Sequence, residues 1–144
     1  MNKNTIAIVA FNKPDLLYLY LEQIFCEPTI ADYQIQIHTE EGYDKEQDEV
    51  LDYYTNKYPH VDITQIVKTK FQECNLPGFH NILSTYLYAG NSERAGDFMI
   101  VGEEDMIPTQ DYIRFNKYIF KTNTFRPSFI YKPSFILQFK ISKI

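Results

Sequence analysis

Apolar residues fall in short clusters separated by polar, Pro- or Gly-containing breaks, and the period inside the clusters changes along the chain. Residues 5–11 (TIAIVAF) form a run of β-branched and apolar types, which predicts a buried strand. Asn12-Lys13-Pro14-Asp15 breaks the run. Pro14 suits the first turn of a helix, where an N–H would have no intrahelical partner. Leu16, Leu17, Tyr20, Leu21 and Ile24 then recur at three- and four-residue spacing and give that helix one apolar face. The phrase repeats. Tyr33–His38 alternates as a strand does, and Thr39–Gly42 ends it. Residues 44–57 predict a charged helix with Val50, Leu51 and Tyr54 inward. Val61–Val67 predicts a third strand, with Val61, Ile63 and either Ile66 or Val67 facing the core. Residues 78–89 predict another amphipathic helix, and Phe98–Val101 a fourth strand, wholly apolar and therefore central.

Strands alternating with helices predict an α/β fold, a mostly parallel sheet with helices on both faces. Ligands of such sheets bind beyond the carboxyl ends of the strands. The loops to inspect are then Asn12–Asp15, Thr39–Gly42, Lys68–Phe79 and Gly102–Pro108. The 144 residues suit one domain. Residues 1–120 are read as its body and 121–144 as a basic, aromatic extension, whose two Pro-Ser steps suit short pairing segments on a sheet edge or a dimer contact.

Composition narrows the classes. Hydrophobic residues at 44% and charged residues at 23% exclude wholesale disorder. The 12 Tyr and 11 Phe are read mainly as packing rings, with Tyr53, Tyr54 and Tyr58 holding one helix against the sheet. The net charge of −5 is unevenly spread: all 19 acidic residues and seven of the 14 basic ones lie before residue 112. A uniformly basic nucleic-acid surface is thus excluded. Cys26 and Cys74 are too few for a Cys-rich zinc site and are read as packing thiols. His38 and His60 are read as solvated turn residues. No apolar run reaches the ~20 residues of a membrane span, and the first residues lack the apolar stretch of a signal peptide. These features lead us to expect no transmembrane segment, a cytoplasmic location and reduced thiols.

The sharpest local signal is MIVGEEDMIP, residues 99–108. An apolar strand delivers Glu103, Glu104 and Asp105 together, and adjacent carboxylates at the rim of a sheet call for a counter-charge. A divalent cation is one source, since Mg²⁺ and Mn²⁺ take oxygen ligands and share them with phosphates. In an extended segment alternate residues face the same way, so Glu103 and Asp105 can converge while Glu104 points elsewhere. The alternative is an acidic surface turn.

A strand ending in such acids, followed by an apolar residue and a helix, resembles the metal and nucleotide-sugar motif of GT-A-fold glycosyltransferases, and most nearly the N-acetylglucosaminyltransferase I-like group. IAIVAFNKPDLL is similar to that group's first strand and Asn-Arg-Pro-type turn, Glu40-Glu41 to its base-reading acid, and His80 in GFHNILSTYLYAG to its nucleotide-contacting His. The resemblance covers roughly residues 5–120. It implies that Asp105 binds a Mn²⁺ or Mg²⁺ bridging a diphosphate, with Glu103 supporting the motif and Glu104 near the ribose or sugar. It further implies that Glu40 and His80 hold the nucleoside, a uridine by preference, with Asn12 or Lys13 beside the base or diphosphate. Arg126, Lys132 and Lys140 are candidates to neutralise that diphosphate.

Two departures stand out. Lys13 replaces the group's Arg and loses its planar fork. No Asp or Glu follows Asp111, so a carboxylate base cannot come from the last part of this sequence, and the catalytic residue is unassigned. The implied activity is transfer of a sugar, a hexose or N-acetylhexosamine, from a nucleoside diphosphate sugar to an unknown acceptor. A homo-oligomer or a partner completing the acceptor side is compatible with it. The alternatives are a binding module without turnover and a structural or interaction domain.

Overall fold

The computed structural model describes residues 3–69, 81–85, 88, 98–109, 111–122 and 139–140. In chain order these form β1 (Asn4–Val9), α1 (Pro14–Phe25), a 3-10 turn (Ile30–Asp32), β2 (Tyr33–Glu40), α2 (Glu46–Lys57) and β3 (Asp62–Lys68). Then come helical residues 81–85 (α3), β4 (Phe98–Glu103), α4 (Tyr112–Thr122) and β5 (Phe139–Lys140). The strands make one sheet of order β3-β2-β1-β4-β5. Its first four strands are parallel, and β5 runs antiparallel to β4.

The order follows from handedness. Right-handed crossovers that step from β1 to β2 to β3 place α1 and α2 on one face. The return to the far side of β1 reverses direction and puts α3 on the other. Ile6, Ile8, Ile35, Ile37 and Ile100 meet Leu17, Tyr20, Leu21 and Ile24 of α1, Leu51 and Tyr54 of α2, and Tyr112 and Ile113 of α4. On the opposite face Ile82 packs on Ala7, Val9, Met99 and Val101. Each fully buried aliphatic side chain contributes roughly 1.5–3 kcal/mol, so the first face dominates the stability.

Strand ends differ from the expected ones by one or two residues. Strand β2 runs on through Thr39 and Glu40 because these stay in register with Val67 and Lys68. Strand β4 continues through Glu103, opposite Val9. Val61 is buried, while Val67 on the sheet edge is 49% exposed and does not join the core. The polar members of the β2 alternation are not solvated; all eight residues of the strand are buried.

Tyr54 joins the core cluster of the sheet, as expected, and Tyr58 packs against it. Both also meet α1: Tyr58 lies 4.3 Å from Phe25 and Tyr54 5.7 Å from Tyr18, ring centre to ring centre. The Tyr54 hydroxyl donates to Glu22 Oε1 at 2.8 Å. Cys26 is exposed in the turn after α1, not a packing thiol, while Cys74 lies outside the described residues. Lys140 pairs with Phe98 at the amino end of β4, five residues and so roughly 16 Å along the strand from Glu103. That is the wrong end of the sheet for a diphosphate. Arg126 and Lys132 lie outside the described residues.

One glycine position is dictated by packing. A methyl group on Gly102 would overlap the Tyr20 hydroxyl and ring. Tyr20 cannot yield easily, being fully buried and set edge-on to Tyr112 with centroids 6.4 Å apart. Gly102→Ala is therefore expected to destabilise the fold by about 1–3 kcal/mol in urea denaturation. Removing the hydroxyl as well, in Gly102→Ala with Tyr20→Phe, is expected to recover part of that loss; equal stability of Gly102→Ala and the parent chain would contradict the packing argument.

Candidate functional site

Strand β1 lies between β2 and β4, whose connections leave in opposite directions. A crevice opens beyond the carboxyl ends of β1 and β4 for that reason. Asn12, Lys13, Glu40, Glu103, Glu104 and Asp105 all line this one cavity of about 280 Å³, with Asn81 and Ile82 on its α3 side. Six of the seven residues singled out in the sequence thus converge, although up to 93 positions separate them. His80, the seventh, lies outside the described residues; its neighbour Asn81 is on the wall.

The three acids do three different things. Glu104 leaves the strand in a turn and is buried, with 6% exposure. Its Oε1 accepts from the Asn12 backbone N–H at 3.2 Å and its Oε2 from Gln47 Nε2 at 2.8 Å. Its own N–H donates to Val9 O at 2.9 Å. Glu104 ties the β1–α1 loop, α2 and the β4 turn into one unit on the wall of the cavity. Asp105 is half-exposed and accepts from Lys13 Nζ at 2.6 Å. Glu103 is partly buried, and burial, aided by the Asp105 charge, raises its carboxyl above the usual range.

Lys13 is thus the counter-charge that the acid run requires. The hydrogen bond to Asp105, with the fields of all three acids, raises its ammonium pKa. It occupies the N-cap place of α1, φ −128°, without a side-chain cap bond, and Pro14 follows it. An oxygen-bearing side chain there would add about 1 kcal/mol, and a cation at a helix N-terminus is repelled by the dipole. Helix stability alone therefore does not account for a lysine in this place.

The α3 wall is polar beneath. Lys68 closes β3 in register with Glu40 and donates to Asn81 O at 2.9 Å, Ser84 Oγ at 2.9 Å and Thr85 Oγ1 at 2.8 Å. Burial lowers its pKa to about 8, against the opposing pull of Glu40. His38, expected in a solvated turn, is fully buried inside β2. Its Nε2 lies 3.0 Å from Gln36 Oε1, and its Nδ1 has no partner. Desolvation, reinforced by Lys68, drops its pKa to about 3. His60 is exposed in a turn, as expected. Asn81 Oδ1 is also buried without a donor among the described residues, at the edge of the cavity. An unsatisfied acceptor on a cavity wall calls for a donor from a bound molecule.

Lys68, Gln47 and Asn81 were not singled out in the sequence. The available signal was position: Lys68 ends β3 as Glu40 ends β2, and the two are paired in register.

No group of three His, Cys, Asp or Glu that could hold a metal lies together among the described residues. Mg²⁺ and Mn²⁺ commonly use only one or two carboxylates plus phosphate oxygens and water, and Glu103 and Asp105 fit that partial demand. A second cavity of about 300 Å³ opens across the same turn, lined by Tyr20, Met106, Ile107, Pro108, Tyr112 and Phe115, with Asp111 at its rim. No helix among the described residues is long and apolar enough to cross a membrane.

No protein-family model matches the sequence, nor does any curated protein. By structure the chain is similar to the mannosyltransferase PcManGT from Pyrobaculum calidifontis, in complex with GDP-Man and Mn²⁺. The TM-score is 0.56, with 13% identity over 76% of this chain and 29% of that one. It is similar also to TarS 1-349 of S. aureus, with a TM-score of 0.55 and 11% identity over 83% of this chain and 32% of that one. The fold is GT-A-like. The chain spans just under a third of the length of these structures.

The buried histidine makes stability pH-dependent. His38 titrates near 3 when folded against about 6.5 when unfolded, so the unfolded chain binds the extra proton between these values. This contribution is fully present above pH 6.5 and is lost as the pH falls toward 3, up to a few kcal/mol. Urea midpoints measured from pH 7 to 4 are expected to fall less steeply for His38→Gln than for the parent chain. Parallel slopes would mean that His38 is not held neutral.

Proposed function

We propose that the crevice binds a nucleoside diphosphate sugar together with Mn²⁺ or Mg²⁺, and that the chain is the donor-binding half of a glycosyltransferase. The observation that carries this reading is the gathering of Lys13, Glu40, Glu103 and Asp105 around one cavity at the switch point of a GT-A-like sheet. Glu103 and Asp105 would hold the cation, Lys13 would face the diphosphate, and Glu40 with Asn81 would face the nucleoside. Asn12 would stand beside the base or diphosphate, placed there by its backbone bond to Glu104. A bound cation would stabilise charge on a departing diphosphate. UDP is the favoured nucleotide from the motif resemblance to the N-acetylglucosaminyltransferase I-like group; the Mn²⁺ and GDP-Man of the mannosyltransferase complex support a metal and make GDP the first competitor.

A second reading is binding without turnover, since Glu103 and Asp105 are committed to the cation and both oxygens of Glu104 are engaged. An acceptor hydroxyl needs a base within hydrogen-bond reach. In that reading a partner completes the acceptor side.

Thermal unfolding with UDP, GDP, CDP and dTDP, each with and without Mn²⁺, tests the donor site. A nucleotide at 100 times its Kd stabilises by about 2.7 kcal/mol, so a rise of roughly 5–10 °C is expected for one of the four. The rise should require Mn²⁺ and disappear in Asp105→Ala. No shift with any nucleotide would remove the donor-site reading; hydrolysis or transfer from the matching nucleotide sugar would decide between the two readings.

A further inference from the structure

The position of Lys13 implies more than a phosphate contact. It sits at the start of α1, in a place where its side chain can satisfy no helix N–H. Its Nζ instead reaches across the crevice, 2.6 Å from Asp105 Oδ2. Both partners are little more than two-fifths exposed, so water reaches the pair and it can be broken. Of the neighbouring acids, Glu104 has both oxygens engaged by Asn12 and Gln47. A divalent ion held by Glu103 and Asp105 therefore competes with Lys13 for Asp105.

We propose that Lys13 is an exchangeable counter-cation: it holds Asp105 while the crevice has no nucleotide, and moves to the diphosphate when one arrives, releasing Asp105 to the metal. This rests on the donor-site reading and adds a coupling to it. Two cations cannot share one carboxylate oxygen without repulsion, so metal and ammonium compete while the site holds protein charges alone. A diphosphate brings further negative oxygens and lets both stay. Metal and nucleotide then favour each other, and linkage requires the same factor in both directions. Asn81 Oδ1 on the same wall, buried and without a partner among the described residues, is an independent sign that a bound molecule belongs there.

The test is Mn²⁺ binding followed by the electron paramagnetic resonance of the free ion, on the parent chain, Lys13→Met and Asp105→Asn, with and without UDP or GDP. Without nucleotide, Lys13→Met is expected to bind Mn²⁺ about tenfold more tightly than the parent chain, and Asp105→Asn to bind it more weakly than either. Nucleotide affinity is expected to move the other way, falling about tenfold in Lys13→Met. The mutual enhancement of metal and nucleotide should shrink with it. Opposite shifts are diagnostic, because general damage to the crevice would weaken both ligands. Unchanged or weaker Mn²⁺ binding by Lys13→Met, in a parent chain that binds Mn²⁺ and nucleotide, overturns the exchange and leaves the donor site standing. Absence of both ligands from the parent chain overturns the exchange and the donor site together.

Discussion

The parallel pairing of β1 with β2 on one side and β4 on the other is the constraint from which the rest of the molecule follows. A strand covered on both faces and paired on both edges must be apolar, and its two neighbours are reached by crossovers over opposite faces, through α1 to β2 and through α3 to β4. The chain reverses its direction across the sheet there, and a crevice opens at the carboxyl end of β1. The crevice is thus a product of chain handedness before any functional side chain is placed in it. The same pairing sets Val9, the last residue of β1, opposite His38 on one side and Glu103 on the other, so the acid turn and the polar layer flank one point.

Charge at that point is balanced by specific partners. Three consecutive carboxylates sit at the rim of an apolar sheet, each treated separately: one is paired with an ammonium, one receives two N–H donors, and one is partly buried, which raises its pKa. The opposite wall uses the same economy. Lys68 and His38, both shifted toward their neutral forms, let α3 lie on a polar strip of the sheet. Glu27 extends the pattern to α4, where Arg114 Nε meets it at 3.3 Å. Acidic body and basic helix are joined there.

Much of this was legible in the sequence. Periodicity located every strand among the first four and both long helices that precede β3, because each carries its full apolar face within one contiguous segment. What could not be read was pairing over distance. Nothing local to Lys13 names Asp105, 92 residues away, as its partner. The polar face of β2 was misleading for a related reason: Gln34, Gln36 and His38 look solvated until Thr5 and the α3 segment are seen to meet them. The further contact of the α2 tyrosines with α1 was not legible, because helix-to-helix contact leaves no separate periodicity.

The close approach of Tyr20 to Gly102 bears on how this chain would be traced through its ancestry. The ring of one residue fills the space that a side chain on the other would need, so neither position can drift alone. Among relatives, a larger residue at the β4 position should arrive together with a smaller one on α1. The two columns would carry a shared signature even where the surrounding sequence has diverged beyond recognition.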